Sequence, residues 1–378
     1  MNYLALLARL ALLGSLVLLL GSCVEPYVPA TLDAPRSYLV VDGSLNGNGV
    51  TTINLSRTYR IGAAMAPPAE VKATVYVQQE AGSRYALRET VPGTYVSDKL
   101  TLLSGKSYRL QIITAAGVEY ASDYVSALST PPIDELTWRI TDQELTMRVS
   151  THDAATATRY YRWATEETWE IKPLLVPQYV YVPANQSVVS ITVPYPAQCW
   201  ASEKSSSIYL ANTSALTQNV VSDAPLQVLS SSSSKLSHRY SILVRQFAMS
   251  KEEYAYWSLL KKNTESIGSL FDPTPAPLTG NLHCLANPDE PVLGYIGVQS
   301  VTEKRLFIER SQLPQTWRVP SGYESCAVDT VTPKFYISAF QTLLRVPVDK
   351  VNQGVTSTTV GCVDCRTRGS AVKPDFWP

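Results

Sequence analysis

Apolar and polar residues alternate with a period of two along much of this chain. Val71, Ala73, Val75 and Val77 interleave with Lys72, Thr74, Tyr76 and Gln78, a pattern that sends one set to a core and the other to water and predicts a half-buried antiparallel strand. Short β-rich runs at 38–41, 52–55, 85–89, 108–114 and 119–122 continue the theme at the spacing of a β-sandwich. Asn46-Gly47-Asn48-Gly49 and Pro92-Gly93 supply the turn residues that hairpins need between them. Thr130-Pro131-Pro132 then interrupts any strand, because proline cannot donate to a ladder and restricts the residue before it, so a boundary between two units is predicted there. Beyond it, strands are predicted over 136–140, 144–149, 159–164, 179–182, 188–193, 207–210, 238–246 and 294–298, with the run Ser230 to Ser234 as a solvated loop.

One segment changes period. Ser250-x-x-Glu253 has the form of a capping box, in which a hydroxyl and a carboxylate satisfy the free amides of a first helical turn. Glu253, Tyr256, Trp257 and Leu260 fall on or near one face, Lys261 and Lys262 sit near the negative end, and Gly268 stops the run. A helix packed on the second sheet is predicted, with its aromatic stripe as core packing.

Composition supports a mainly β chain. Hydrophobic residues make up 45% of the 378, enough for sizeable cores in two units, and 22 Tyr against 6 Phe suit half-exposed strands whose aromatics need a polar end. Lys and Arg number 32, as do Asp and Glu, so no positive surplus exists to hold a polyanion and nucleic acid is excluded as a partner.

The first residues look like an address. An apolar run from Leu10 to Leu20 follows Arg9 and precedes Gly21-Ser22-Cys23, the layout of a cleaved export signal and too short to span a bilayer comfortably. Leu20-Gly21-Ser22-Cys23 resembles the bacterial lipobox, which implies removal of residues 1–22 and acylation of Cys23 as a membrane anchor. Val24 follows the anchor where enteric inner-membrane lipoproteins carry Asp, so the outer membrane is expected, with the periplasmic or cell-surface face left open. Residues 23–37, with Pro26, Pro29 and Pro35, read as an extended tether. A first sandwich is expected over 38–130 and a larger, elaborated one over 133–378.

The other five cysteines, Cys199, Cys284, Cys326, Cys362 and Cys365, all follow the boundary. In an exported chain two disulfides and one free thiol are expected, in any of 15 arrangements, pinning the tail or a long loop. Cys362-x-x-Cys365 lacks the helix start of a redox motif and the second spaced pair of a zinc site, so neither metal nor cofactor is expected. Gly105-Lys106-Ser107 resembles the end of a phosphate loop, but Leu100 stands where glycine is required. No nucleophile elbow or His-Glu-x-x-His motif occurs, and His152, His238 and His283 have no flanking pattern that would make any a base. The acidic neighbours Asp134-Glu135, Glu166-Glu167 and Asp289-Glu290 could supply a glycosidase pair or form solvated edges. Asp329-Thr330-Val331 matches a short O-glycosylation pattern of Bacteroidota, making Thr330 a candidate.

Several longer segments share one likeness. Leu39-Val40-Val41-Asp42-Gly43, Gly105-Lys106-x-Tyr108-Arg109-Leu110, Pro132-Ile133-Asp134, Cys199-Trp200, Tyr240-Ser241-Ile242-Leu243-Val244, Tyr254-Ala255-Tyr256-Trp257, Gly268-Ser269-Leu270-Phe271-Asp272-Pro273, Gly280-Asn281-Leu282 and the tail Lys373-Pro374-Asp375-Phe376-Trp377 resemble the "domain of unknown function 4249" lipoproteins of Bacteroidota. The resemblance implies two immunoglobulin-like or transthyretin-like β-sandwich domains, the second carrying one α-helix and a cysteine-containing tail. It also implies an outer-membrane lipoprotein encoded near TonB-dependent receptors, with no catalytic residues to transfer. A non-catalytic accessory or binding subunit of a TonB-dependent barrel is the expected function. A structural or adhesive surface protein, or a surface hydrolase of glycans or peptides, stands as the alternative. Trp169, Tyr179, Tyr181 and Trp317 are candidate contact residues, with core burial as the competing reading for each.

Overall fold

The computed structural model describes residues 37–59, 66–155, 157–265 and 278–378. The predicted signal 1–22, Cys23, all but the last residue of the tether, and Gly268 lie outside the described residues. The fold is mainly β. Its first strands are β1 (Leu39–Asn46), β2 (Val50–Arg57), β3 (Thr74–Gln79), β4 (Arg84–Val91), β5 (Thr94–Lys99), β6 (Ser107–Ile113), β7 (Glu119–Ser122) and β8 (Val125–Ser126). Next come β9 (Ile133–Ile140), β10 (Glu144–His152), β11 (Tyr160–Ile171), β12 (Tyr179–Val182), β13 (Ser187–Ser190), β14 (Cys199–Lys204), β15 (Tyr209–Asn212), β16 (Val220–Ser230) and β17 (Tyr240–Met249). Helix α1 (Lys251–Glu265) precedes β18 (Leu282–Cys284), β19 (Val298–Gln299), β20 (Val301–Ile308) and β21 (Asp329–Val331). The short helix α2 (Tyr336–Phe340), β22 (Arg345–Val351) and β23 (Gly354–Thr359) complete the order.

The first unit is one continuously paired sheet that encloses a single core. Its strands run in the order β7-β6-β3-β4-β5-β2-β1, with β8 also paired to β6. Both edges of that order are completed from far away in sequence. β18 adds antiparallel to β7, with Leu282 opposite Ser122, and β19 adds parallel to β1, with Val298 opposite Leu45. Leu282, Cys284, Val292, Ile296 and Val298 are buried in the same cluster as Leu39, Ile53, Val75 and Leu110. The sequence boundary placed these residues with the second unit. Covering two edges whose amides and carbonyls would otherwise face solvent is the physical gain of the return. The strand expected from Val71 begins only at Thr74, because Lys72 takes a positive φ of 57° that breaks the extended run. The strand expected over 294–298 is reduced to its end, since Gly294 carries the chain so close over β1 that a Cβ there would lie 2.1 Å from the Val41 carbonyl oxygen.

The second unit is a two-layer sandwich. The sheet β16-β10-β9 faces β14-β11-β17-β20, with β15 beside β11. Leu136, Leu145, Met147 and Val149 of one layer meet Tyr161, Trp163, Ile242 and Val244 of the other in a continuous core. Thr130-Pro131-Pro132 joins the two units as a clamped strap. Thr130 Oγ1 accepts from the Ala248 amide (3.0 Å), and the Pro131 carbonyl accepts from Gln246 Nε2 (2.8 Å) and Thr302 Oγ1 (2.9 Å).

A third, smaller lobe grows from the second unit. Residues 172–198 leave between the paired strands β11 and β14 and form the hairpin β12–β13, beside the sheet β21-β23-β22 and α2. Its apolar clusters are small: Tyr181, Val331, Phe340 and Val355 in one, and Val346, Val348 and Val363 in the other. Covalent bonds supplement them. Cys199 pairs with Cys365 and Cys326 with Cys362, while Cys284 remains a buried free thiol in the first core. Each cysteine of Cys362-x-x-Cys365 therefore bonds to a distant partner and not to the other.

Candidate functional site

Where the first two units meet, an open cleft of about 290 Å³ separates them. One wall is the first hairpin: Asp42, Gly43, Ser44 and Asn46 on β1, with Thr52 on β2. Gly43 has a φ of +142°, and a Cβ there would lie 2.5 Å from the Thr52 carbonyl oxygen, so only glycine lets β1 lie this close to β2 beside the cleft. The other wall comes from β11, β17, α1 and β20, which present Arg162, Arg245, Phe247, Trp257 and Glu303.

Arg162 is the unusual group. It points outward from β11 between Tyr161 and Trp163, both buried in the core. Its guanidinium lies between two rings, 4.3 Å from the centroid of Phe247 and 4.3 Å from that of Trp257, a cation–π sandwich that orients the planar fork. It makes no ion pair or hydrogen bond with any described residue, and its Nε is buried without a partner. Desolvation lowers its pKa from the usual arginine value. The Trp257 indole nitrogen is likewise buried without a partner of good hydrogen-bond geometry.

The charges around Arg162 do not neutralise it by contact. Glu253 lies one turn before Trp257 on α1, is 2% exposed, and has its pKa raised to about 7 by desolvation. Its carboxylate was expected to close a capping box. Only half of the box forms: Ser250 Oγ accepts from the Glu253 amide at 3.1 Å, while the Glu253 side chain turns inward against Gly297, where a Cβ would lie 2.4 Å from Oε2. Asp42 accepts a hydrogen bond from Asn54 Nδ2 at 3.2 Å and makes no salt bridge with any described residue. Arg245, by contrast, is bracketed by Glu166 (3.0 Å) and Glu303 (2.7 Å). The cleft thus holds one unpaired guanidinium, one carboxylate outside any ion pair, and one cation shared by two carboxylates.

The residues named from the sequence are dispersed. Trp169 and Tyr179 are half-buried, each beneath a lysine ammonium: Lys235 Nζ lies 4.8 Å from the Trp169 ring and Lys350 Nζ 5.1 Å from that of Tyr179. Tyr181 and Trp317 are each only 6% exposed, Tyr181 in the small lobe and Trp317 in the second core, so neither presents a contact surface. Their apolar area gains more from burial than from solvent contact. Thr330 is exposed on β21. Of the acidic neighbours, Glu166 reaches the cleft through Arg245, and one member of each pair is committed elsewhere. Glu167 accepts from Tyr240 Oη and Lys235 Nζ, each at 2.8 Å, Asp134 pairs with His152 at 2.8 Å, and Glu290 accepts from Tyr120 Oη at 2.7 Å. Sequence reading missed Arg162, though the alternation Tyr161-Arg162-Trp163 placed it on the outer face of a strand. The likeness segments offered a second signal, because Asp42-Gly43 and Trp257 come from two of them and meet at the cleft.

A family model described as Domain of unknown function (DUF4249) matches residues 24–305. The chain belongs to that family. The matched stretch includes every residue named above from both walls of the cleft and stops before β21, β22, β23 and both cysteines of the Cys326–Cys362 bond. No curated protein is significantly similar to the chain.

Proposed function

We propose that this chain is a non-catalytic lipoprotein of the outer membrane, anchored through Cys23 and serving as an accessory or binding subunit of a TonB-dependent transporter. The observation that carries the reading is the junction cleft, whose open mouth and unpaired Arg162 suit holding a ligand between two braced units. The lipobox-like Leu20-Gly21-Ser22-Cys23 supports the anchor, and two disulfides suit an oxidising compartment outside the cytosol. Among the described residues no helix is long and apolar enough to cross a membrane.

Affinity purification of the tagged full chain from gently solubilised native outer membranes tests the assignment. A large β-barrel at near-equal amount, lost together with membrane association in a Cys23→Ser variant, is the expected result. A lipidated chain that comes away alone across several detergents contradicts stable docking, and a wild-type mass without acyl chains contradicts the anchor. The surface-adhesive reading has one observation of its own. Phe335, Ile337, Leu343 and Leu344, clustered around α2 beyond the family match, are 46–65% exposed, and apolar exposure of that kind suits contact with another surface.

A further inference from the structure

We infer that the junction cleft binds a small zwitterion of the amino-acid or short-peptide class, its carboxylate on Arg162 and its ammonium group facing Asp42. The inference rests on reading the cleft as a binding site and is independent of any barrel. A guanidinium held between Phe247 and Trp257 with no ion pair to any described carboxylate is preorganised for a two-pronged anion contact. The rings fix the fork without neutralising it, so an arriving carboxylate replaces water and no existing ion pair has to break.

An anion alone does not complete the site. Asp42 lines the opposite wall with no salt bridge, and Arg245 is already shared by two carboxylates, one of which, Glu303, also lines the cleft. Asp42 therefore leaves the wall facing Arg162 negative, and Glu303 adds to the acidic surround, which repels a dianion and attracts an ammonium group. Ser44 and Thr52 add hydroxyl partners on the same wall. A volume of about 290 Å³ admits one small molecule and excludes a long chain from lying wholly inside.

Isothermal titration of the purified full chain in detergent with the dipeptide Ala-Ala, its N-acetyl form and its C-terminal amide tests the inference. Free Ala-Ala is expected to bind, with each capped form about tenfold weaker or worse, because each cap leaves one charged wall group unpaired. Arg162→Gln should weaken free Ala-Ala by a similar factor and leave the C-terminal amide unchanged. Asp42→Asn should do the converse, weakening the free dipeptide and sparing the N-acetyl form. Absence of binding by Ala-Ala, or equal affinity for free and capped forms, overturns the inference even if a variant folds poorly, since the capped ligands test the wild-type protein. Failure of the barrel experiment leaves this result untouched, which keeps the two readings separable.

Discussion

The first unit and the small lobe reach stability by opposite routes. In the first unit, strands from both ends of its sequence share one large buried cluster that runs from Leu39 to Val298, and its cysteine, Cys284, is left unpaired inside it. In the lobe, clusters of three and four buried residues sit beside two disulfides that span 166 and 36 residues of sequence. A small core buries too little apolar surface to offset the entropy of ordering its chain, and a cross-link reduces that entropy in the unfolded state. Where the core is large, distant segments are recruited by burial alone. Where it is small, covalent bonds take that part.

The largest effect should come from removing the longer cross-link. The double substitution Cys199→Ser and Cys365→Ser should destabilise the lobe by roughly 5 kcal/mol, the loop-entropy value for a span of this length, seen as new protease cleavage within 172–198 and 326–367. Leu110→Ala strikes the other mechanism. Leu110 is fully buried in the first cluster, so its truncation should cost about 3 kcal/mol in urea unfolding and leave protease resistance of the lobe intact. Equal damage to both regions by either change would dissolve the contrast.

A third prediction concerns the junction between the units and depends on pH. Glu253 has a folded pKa raised to about 7, above its unfolded value of 4.5, chiefly by desolvation. The folded state then holds the proton more tightly than the unfolded one, so stability falls as pH rises between about 4.5 and 7 and the cost is complete above that window. Glu253→Gln should remove the dependence and raise stability at pH 8 by roughly 3 kcal/mol, with little change at pH 4. Melting temperatures at the two pH values check it, and an unchanged pH profile would contradict it. Smallest is Ser250→Ala, which removes the hydroxyl that accepts from the Glu253 amide and should cost about 1 kcal/mol, read as faster hydrogen exchange in the first turn of α1.

Much of the fold was legible because local patterns decide it. Period-two alternation locates β3 and β10, a continuous apolar run locates most of β17, and Ser-x-x-Glu locates the start of α1 at Lys251. What escaped depends on partners distant in sequence. β18 and β19 are three and two residues long and become strands only because β7 and β1 lie beside them. β20 was hidden by Glu303, Lys304 and Arg305, which pair with Arg245, donate to the Asp134 carbonyl and donate to Ser241 Oγ instead of signalling a loop. The number of disulfides followed from counting cysteines, but their connectivity did not, since spacing carries no information about which segments fold together. The cleft was the least legible feature. Arg162 reads as an ordinary outward residue until Phe247 and Trp257, from two other elements, close on either side of it.

Hydrogen-exchange mass spectrometry of the full chain, with and without reductant, tests the contrast between the two regions most directly. Reduction is predicted to speed exchange in β12, β13, β21, β22 and β23 while β1, β2, β6 and the cleft strands β11 and β17 keep their protection. Loss of protection across β1, β2 and β6 on reduction would show that the first unit depends on the cross-links, and full retention in the lobe would show that its small clusters suffice.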